Sequence, residues 1–491
     1  MYQISLAVLS LVFIALYGRA LISINHGISL LFCAFLILLG VLQLSLAVLC
    51  LLEASREEKE LRSGLIDPLT ELPTDVHLAE AVRKFLRETS GDKNRPKYSM
   101  VCLALIFFRR FSAMLGDTMD DGLLRVVGDT LRKNYTCVVR NSGPRFTFLA
   151  PAYPTLSFDL TNALSMAILE NLGRQYADMT NFRFGFCPLI REVVDDPSER
   201  AIQEAYSAAR MALRYAEDDS TANAVTYDKK LRERIQMERN IELRMLHALS
   251  GGEFLVYVQP KHHLVKDVCT CSEALIRWNS EEMGFIMPDA FIPIFERNGF
   301  IVELDFFVLS FVFQHVQSEL AAGRKVLPIS VNQSKVTLAF PNYMERLQNL
   351  VRRYPVPLYY IDLEVTESAL ENDAGSLLSY VYAIKELGFS ISLDDFGSAY
   401  SSLNTLQGLP VDTLKIDREF LARAITYERS KIIIRHIISM AKDLGIEVVC
   451  EGVETEEQMK FLRACGCDYA QGYYYARPMP FEEYKKIYLA D

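Results

Sequence analysis

The sequence predicts an α/β protein built on a parallel sheet and carried behind an apolar N-terminal anchor. Three observations lead there. In the second half, short apolar β-prone runs alternate with helix-length amphipathic segments such as Gly375–Leu387 and Ser430–Leu444, the pattern of strands covered by helices. Several of those runs carry acids or amides, which a closed barrel would gather on the face where the strand ends converge. The first 52 residues hold one long uncharged apolar run and one shorter one. At 491 residues the chain exceeds a typical domain, so two or more are expected. A net charge of −10 argues against a binder of duplex nucleic acid, which needs a basic footprint. It leaves room for a small anionic ligand, because bridging metal ions reverse the local field.

Taken in order, Ile28–Leu52 is long enough to span a bilayer. Ile4–Gly18 is shorter and must recruit residues past Arg19 or span a thinned bilayer. A secretory signal is the rival reading of the first run, but Met1-Tyr2-Gln3 lacks its positive side chains. The expectation is a two-helix membrane anchor over residues 1–55, in contact with the lipid bilayer. Arg56, Lys59 and Arg62 follow the second span against only Arg19 in the loop, which places the rest of the protein in the cytoplasm. Residues 56–66 then read as a charged helical linker.

Ten cysteines are scattered along the chain. Cys269/Cys271 and Cys465/Cys467 form two CxC pairs, whose spacing departs from the zinc knuckle, so reduced thiols are the better reading.

Residues 67–229 begin DPLTELPT and end in the amphipathic AARMALRYAE. Between them fall a strand over Met100–Phe108 and another run at Arg140–Phe146. This order resembles the GGDEF (diguanylate cyclase) domain, an α/β fold. The family's own motif is replaced by Ser142-Gly143-Pro144-Arg145-Phe146, so the acidic pair becomes a proline and a cation. The metal-binding aspartate falls among the apolar Ala104–Ile106, the guanine-reading asparagine on Ser112, and the product-inhibition site on Lys133 and Thr136. The resemblance therefore implies a degenerate domain without cyclase activity, left as a regulatory or dimerisation module or as a packing spacer. Residues 230–250 form a connecting helix. Gly251-Gly252-Glu253-Phe254 ends it as a glycine C-cap rather than as a truncated GGDEF motif.

Residues 251–491 hold the chemistry. In Ser390–Glu419 an apolar run ends in the adjacent acids Asp394 and Asp395, and a second run carries Lys415. Like charges side by side repel and raise each other's pKa, and hard divalent cations relieve this through oxygen ligands. Glu273, Asn332, Glu364, Glu367, Glu451 and Gln471 lie in or beside further apolar runs. Gln259-Pro260, EALIRW, FIPIFE, SVNQS, LEVTE, DDFGSAYSSL, LPVDTLKIDREF, EGVETEEQ and GCDYAQGYYYARPMP follow in order. They are similar in sequence and spacing to the EAL phosphodiesterase family, which hydrolyses cyclic di-GMP to linear pGpG. The resemblance implies a (β/α)8-like barrel whose first strand, around Phe254–Leu264, runs antiparallel.

It also implies roles. Glu273, Asn332, Glu364, Asp394, Asp395 and Glu451 match ligands of two Mg2+ or Mn2+ ions. Glu451 also matches a general base, and Lys415 the lysine that positions the attacking water. Glu367 matches the glutamate that holds the loop after the aspartates, and Gln259, Arg277 and Gln471 match substrate contacts. By the same resemblance the protein is expected to be a homodimer, and the apolar runs with their positive-inside bias place it on the bacterial cytoplasmic membrane, catalytic domains in the cytoplasm. Ala399 in place of a glycine, and Phe295 in place of an alanine, are the departures that bear on rate. A non-catalytic receptor and an interaction scaffold are the alternatives; retention of Glu273, Lys415 and Glu451 counts against the first, and retention of the full acidic set, which would only destabilise an unused site, against the second. Asp417 and Glu454 are left as groups behind the ligands or as helix caps. His262 and His263 are expected to be solvated, and Tyr473–Tyr475 to pack the last strand.

Overall fold

The computed structural model describes residues 65–90, 96–106, 117–219, 221–366, 374–396 and 408–490. The expected membrane spans, most of the linker, Ser112, Glu367 and Ala399 lie outside them. Among the described residues no single helix is long and apolar enough to cross a membrane. The chain divides into two compact units at Arg234/Ile235.

The first unit is a five-stranded sheet in the order β2-β3-β1-β4-β5. Its strands are β1 (Tyr98–Ile106), β2 (Thr136–Arg140), β3 (Arg145–Pro151), β4 (Asn181–Pro188) and β5 (Ala224–Thr226). β1 pairs antiparallel with β3 and β4, and β5 lies parallel to β4. Both faces of β1 are buried, and the two-residue period sorts them. Val101, Leu103 and Leu105 join one core, while Met100, Cys102 and Ala104 join the other. Helices α1 (Leu78–Glu88), α2 (Asp117–Asn134), α3 (Leu156–Leu172) and α4 (Glu199–Asp218) supply the other halves of these cores. The β2–β3 turn is closed by Gly143 at φ +69°. Arg145, the cation of the altered motif, forms a two-pronged pair with Glu217 on α4, with Nη2 2.9 Å from Oε1.

Helix α5 (Lys229–Gly251) ends as expected: Gly252 adopts φ +75°, a conformation that suits a residue without a Cβ. In the second unit β6 (Phe254–His263) pairs antiparallel with β7 (Val268–Ser280) and with β14 (Tyr469–Ala470). Between those neighbours run β9 (Ile329–Gln333), β10 (Ile361–Thr366), β11 (Ser390–Phe396), β12 (Thr413–Ile416) and β13 (Glu447–Cys450), all parallel. β6 therefore closes the barrel, and it is the antiparallel first strand the sequence predicts. β8 (Gly284–Ile286) and β15 (Met479–Pro480) extend the hairpin edges.

The alternation along β10 shows how the barrel is filled. Ile361, Leu363 and Val365 belong to the apolar core, while Asp362 and Glu364 face a buried polar interior. Barrel interiors are ordinarily packed with branched aliphatic side chains. Here the inward layer includes Ser330, Asp362, Glu364, Ser392, Lys261 and Lys415, each under 10% exposed. The apolar α6 (Pro288–Asn298) and α7 (Ile301–Ala321) belong to this core. Phe295 fits because Phe254, Trp278, Phe291 and Phe300 surround it with ring centroids 4.8–6.1 Å away.

Candidate active site

The site is centred on a lysine. Lys415, inward on β12 and 1% exposed, places Nζ 2.6 Å from Glu364 Oε2, 2.7 Å from Glu451 Oε1, 3.1 Å from Asp394 Oδ2 and 3.8 Å from Glu273 Oε1. Five strands or strand ends, β7, β10, β11, β12 and β13, thus deliver one charged group each to one point. Around them Asn332 donates to Glu273 Oε1 at 2.7 Å. Gln471 donates to Glu273 Oε2 at 2.6 Å and to Gln259 Oε1 at 3.0 Å. Gln259 in turn donates to the Ala476 carbonyl.

Asp395 is held differently. The strand pairing between β11 and β12 slips between Leu393 and Phe396, and Asp395 adopts φ +58°. That left-handed turn leaves Asp394 buried and Asp395 exposed, with the Asp395 amide donating to Asp394 Oδ1 at 2.8 Å. Strain of this kind at a non-glycine residue persists only where its surroundings impose it, and it clusters at functional sites.

Burial and mutual repulsion set the charge states. Burial pushes the Glu451 carboxyl up, to about 8, with Lys415 opposing it and Asp394 adding to it. Burial likewise raises Glu273 and Asp394, with neighbouring carboxylates contributing. Glu364 goes the other way: burial would raise it, but Lys261 and Lys415 together hold it at about 2. Lys415 itself is raised despite burial, by Asp394, Glu273, Glu364 and Glu451, and so stays charged.

Among the described residues no three His, Cys, Asp or Glu side chains stand in metal-ligand spacing. The expected ligands are brought to one mouth, but they close on Lys415. The donor set nevertheless fits hard divalent cations. Among the described residues, Glu273, Asp362, Glu364, Asp394, Asp395 and Glu451 gather around the two buried ammonium groups of Lys261 and Lys415, an excess of negative charge that a buried site must balance with protons or cations.

Other expected residues divide. Arg277 is on the same face of β7 as Glu273, with its guanidinium 5.7 Å from the centre of the Tyr257 ring. Asp417 caps the helix Arg418–Thr426, accepting from the Glu419 amide, and Glu454 is exposed beside the Thr455–Gln458 capping box. His262 corrects the expectation of a solvated residue. It is stacked on Tyr475 at 4.3 Å between ring centroids, and burial lowers its pKa. Tyr475 alone of the three tyrosines packs in this way, for Tyr473 and Tyr474 are exposed. Glu367 lies outside the described residues. Lys261, Ser330, Asp362 and Ser392 were not read from the sequence as part of the site. The two-residue period was the available signal, since Lys261 follows Gln259, and Asp362 precedes Glu364, on the same strand face.

One glycine fixes the far wall. A Cβ at Gly472 would lie 2.2 Å from the Val453 oxygen and 2.3 Å from its nitrogen. The close approach lets Val453 bond to Gln471 O at 3.1 Å and accept from Tyr474 at 2.9 Å, tying the loop after Glu451 to the segment bearing Gln471.

A closed barrel with an acid-rich mouth at the C-terminal strand ends defines the class, and the comparisons name it. Residues 242–478 match the EAL domain family, and this part of the chain is an EAL domain. The chain is 30% identical over 404 residues to the cyclic di-GMP phosphodiesterase NbdA of Pseudomonas aeruginosa, covering 80% of this chain and 50% of that protein. It is 27% identical over 436 residues to the bifunctional diguanylate cyclase/cyclic di-GMP phosphodiesterase MucR of the same organism, covering 88% and 62%. The chain thus spans about half to three fifths of these relatives' lengths. The S helix-GGDEF-EAL structure of Vibrio cholerae LapD, bound to c-di-GMP, is similar in fold, with TM-score 0.54 and 17% identity over 85% of this chain and 98% of that one.

Proposed function

We propose that the chain is a metal-dependent phosphodiesterase that hydrolyses cyclic di-GMP to linear pGpG in its EAL domain. The observation that carries this reading is the clasp of Glu273, Glu364, Asp394 and Glu451 around Lys415 at the barrel mouth. The names of the relatives supply the substrate. Two Mg2+ or Mn2+ ions held by Glu273, Asn332, Glu364, Asp394, Asp395 and Glu451 would neutralise phosphoryl oxygens and lower the pKa of bound water.

The chain's own groups do the rest. Lys415, kept charged by its carboxylates, holds an oxygen nucleophile or phosphoryl oxygen by Nζ. Burial, Asp394 and Glu273 favour a proton on the Glu451 carboxyl, and Lys415 opposes them. Arg277 offers a permanently charged fork to a phosphate, and Gln259 and Gln471 orient Glu273 and the ligand by their amides.

The first unit would serve as a regulatory or dimerisation module without cyclase activity. Pro144 and Arg145 stand where acids are required, and Arg145 is paired with Glu217. The apolar N-terminal runs would anchor a homodimer to the cytoplasmic membrane, with the EAL domain in the cytoplasm.

The test is hydrolysis of cyclic di-GMP by the full chain with Mg2+ or Mn2+ and with chelator. Metal-dependent release of pGpG, abolished in Glu273→Ala, is the expected result. Substrate that binds and survives would replace the enzyme reading with that of a receptor.

A further inference from the structure

The barrel interior holds a second ammonium group that the chemistry above does not use. Lys261, on β6, is 2% exposed. Its Nζ donates to Glu364 Oε1 at 2.7 Å and to Ser330 Oγ at 2.7 Å. Ser330 Oγ donates to Asp362 Oδ2 at 2.7 Å, and Ser392 Oγ donates to the same oxygen at 2.6 Å. Asp362 Oδ1 accepts no hydrogen bond among the described residues.

A buried ammonium and carboxylate are costly to desolvate, and well-packed aliphatic side chains would fill this space at lower cost. Stability alone therefore gives a poor account of the arrangement. The geometry around Glu364 gives a better one. Its two oxygens are divided between two lysines, Oε1 to Lys261 below and Oε2 to Lys415. With Oε1 engaged, the carboxylate cannot rotate to bring both oxygens toward Lys415 without breaking a buried charge-assisted hydrogen bond.

We propose that Lys261 is a positioning residue for Glu364: it withholds Oε1, so that Glu364 offers only Oε2 to a divalent ion, and Asp362 holds Lys261 in place through Ser330. The proposal rests on the metal-dependent reading above. It also assigns a role to the polar interior of the barrel. Carboxylate, serine and lysine form a scaffold that fixes the angle of one ligand, as groups behind metal ligands commonly do.

The test uses the full-length chain and Mn2+ alone, with binding read by electron paramagnetic resonance and folding by thermal melting. Lys261→Met would strand Asp362, so the informative variant is the charge-balanced Lys261→Met/Asp362→Asn. Its Mn2+ affinity is expected to fall about 10–100-fold, with half-saturating Mn2+ for hydrolysis rising by the same factor. KM for the dinucleotide at saturating metal should not change. A folded double variant with parental Mn2+ affinity overturns the proposal, whatever its melting temperature.

If the double variant does not fold, Lys261→Gln carries the test. It keeps a donor on a shorter side chain, and Mn2+ binding about threefold weaker or more is expected. Unchanged binding in that variant overturns the proposal. A parent chain that neither binds Mn2+ nor hydrolyses the dinucleotide defeats the functional reading itself. A parent that binds Mn2+ beside a variant that binds equally well defeats only the role of Lys261.

Discussion

Lys415 Nζ and Glu451 Oε1 lie 2.7 Å apart, joining β12 to the end of β13 across the barrel mouth. Among the described residues, Lys415 is the cation paired with Glu273, Asp394 and Glu451, while Lys261 bonds to Glu364 from the other side. Lys415→Met removes that charge while nearly keeping the volume. Hydrolysis is expected to fall about 10²–10³-fold in kcat, the scale of removing one group aimed at developing charge. Thermal stability should fall as well, because breaking a buried pair costs about 3–5 kcal/mol. Steady-state kinetics and a melting curve check the two effects. Normal kcat in a folded Lys415→Met would remove the lysine from the chemistry.

Asp395 makes the opposite prediction for stability. Its φ of +58° suits glycine better than a residue with a Cβ. Asp395→Gly is therefore expected to raise stability by up to about 1 kcal/mol while hydrolysis falls at least about 10²-fold. The denaturant midpoint should move up at constant m-value. A variant that is both less stable and inactive would mean that the Asp395 side chain, and not its backbone, dominates the turn.

The sequence carried most of this site, for a physical reason. Acids placed in apolar runs stand out, because burying them without a purpose is costly. Glu273, Glu364, Asp394, Glu451 and Lys415 were legible in that way, as was the antiparallel entry of β6 through the family resemblance. Lys261 and Asp362 were not. A lysine in QPKHH and an aspartate in IDLEV look like the solvated positions of half-exposed strands, and only closure of the barrel turns that face inward. His262 was misjudged for a similar reason. Its stacking partner, Tyr475, is remote in sequence and arrives only when β14 pairs with β6. The bulge at Asp395 had no sequence signal beyond the doubled acid.

Gly472 gives a prediction about alignment. A methyl group there meets the Val453 backbone, which cannot give way as a side-chain tip can. Gly472→Ala is expected to cost about 1–3 kcal/mol or more through overpacking. Glu451 and Gln471 lie next to the two strained segments, so kcat should fall and KM for the dinucleotide should rise together. A displacement of about 1 Å is enough for a loss near 10²-fold. Parental kinetics in a destabilised Gly472→Ala would show that the two segments are not coupled to the site.

His315 and Glu319, i and i+4 on α7, contribute to the response to acid, and among the described residues Arg324, Lys485 and Glu482 are the charged groups that face them. Arg324 is hydrogen-bonded to Glu319, Lys485 lies 3.5 Å from it, and Glu482 is paired with Lys485. Burial, with the His315 ring 4.1 Å from that of Phe481, pushes the imidazole down to about 4, from an ordinary 6.5. The unfolded chain then binds the proton first, so stability falls as pH drops from 6.5 toward 4. The Arg324 hydrogen bond holds Glu319 at about 2, below its ordinary 4.5, so its contribution is present above 4.5 and is lost as pH falls toward 2. The two effects have the same sign in successive windows. The contributions of this pair are therefore lost as pH falls, that of His315 between pH 6.5 and about 4 and that of Glu319 below pH 4.5, while carboxyls raised by burial, such as Asp305 and Glu451, contribute with the opposite sign. His315→Gln should flatten only the upper window, relative to the parent measured in the same buffers. A variant whose melting profile runs parallel to the parent from pH 6.5 to 4 would show that His315 is not held neutral.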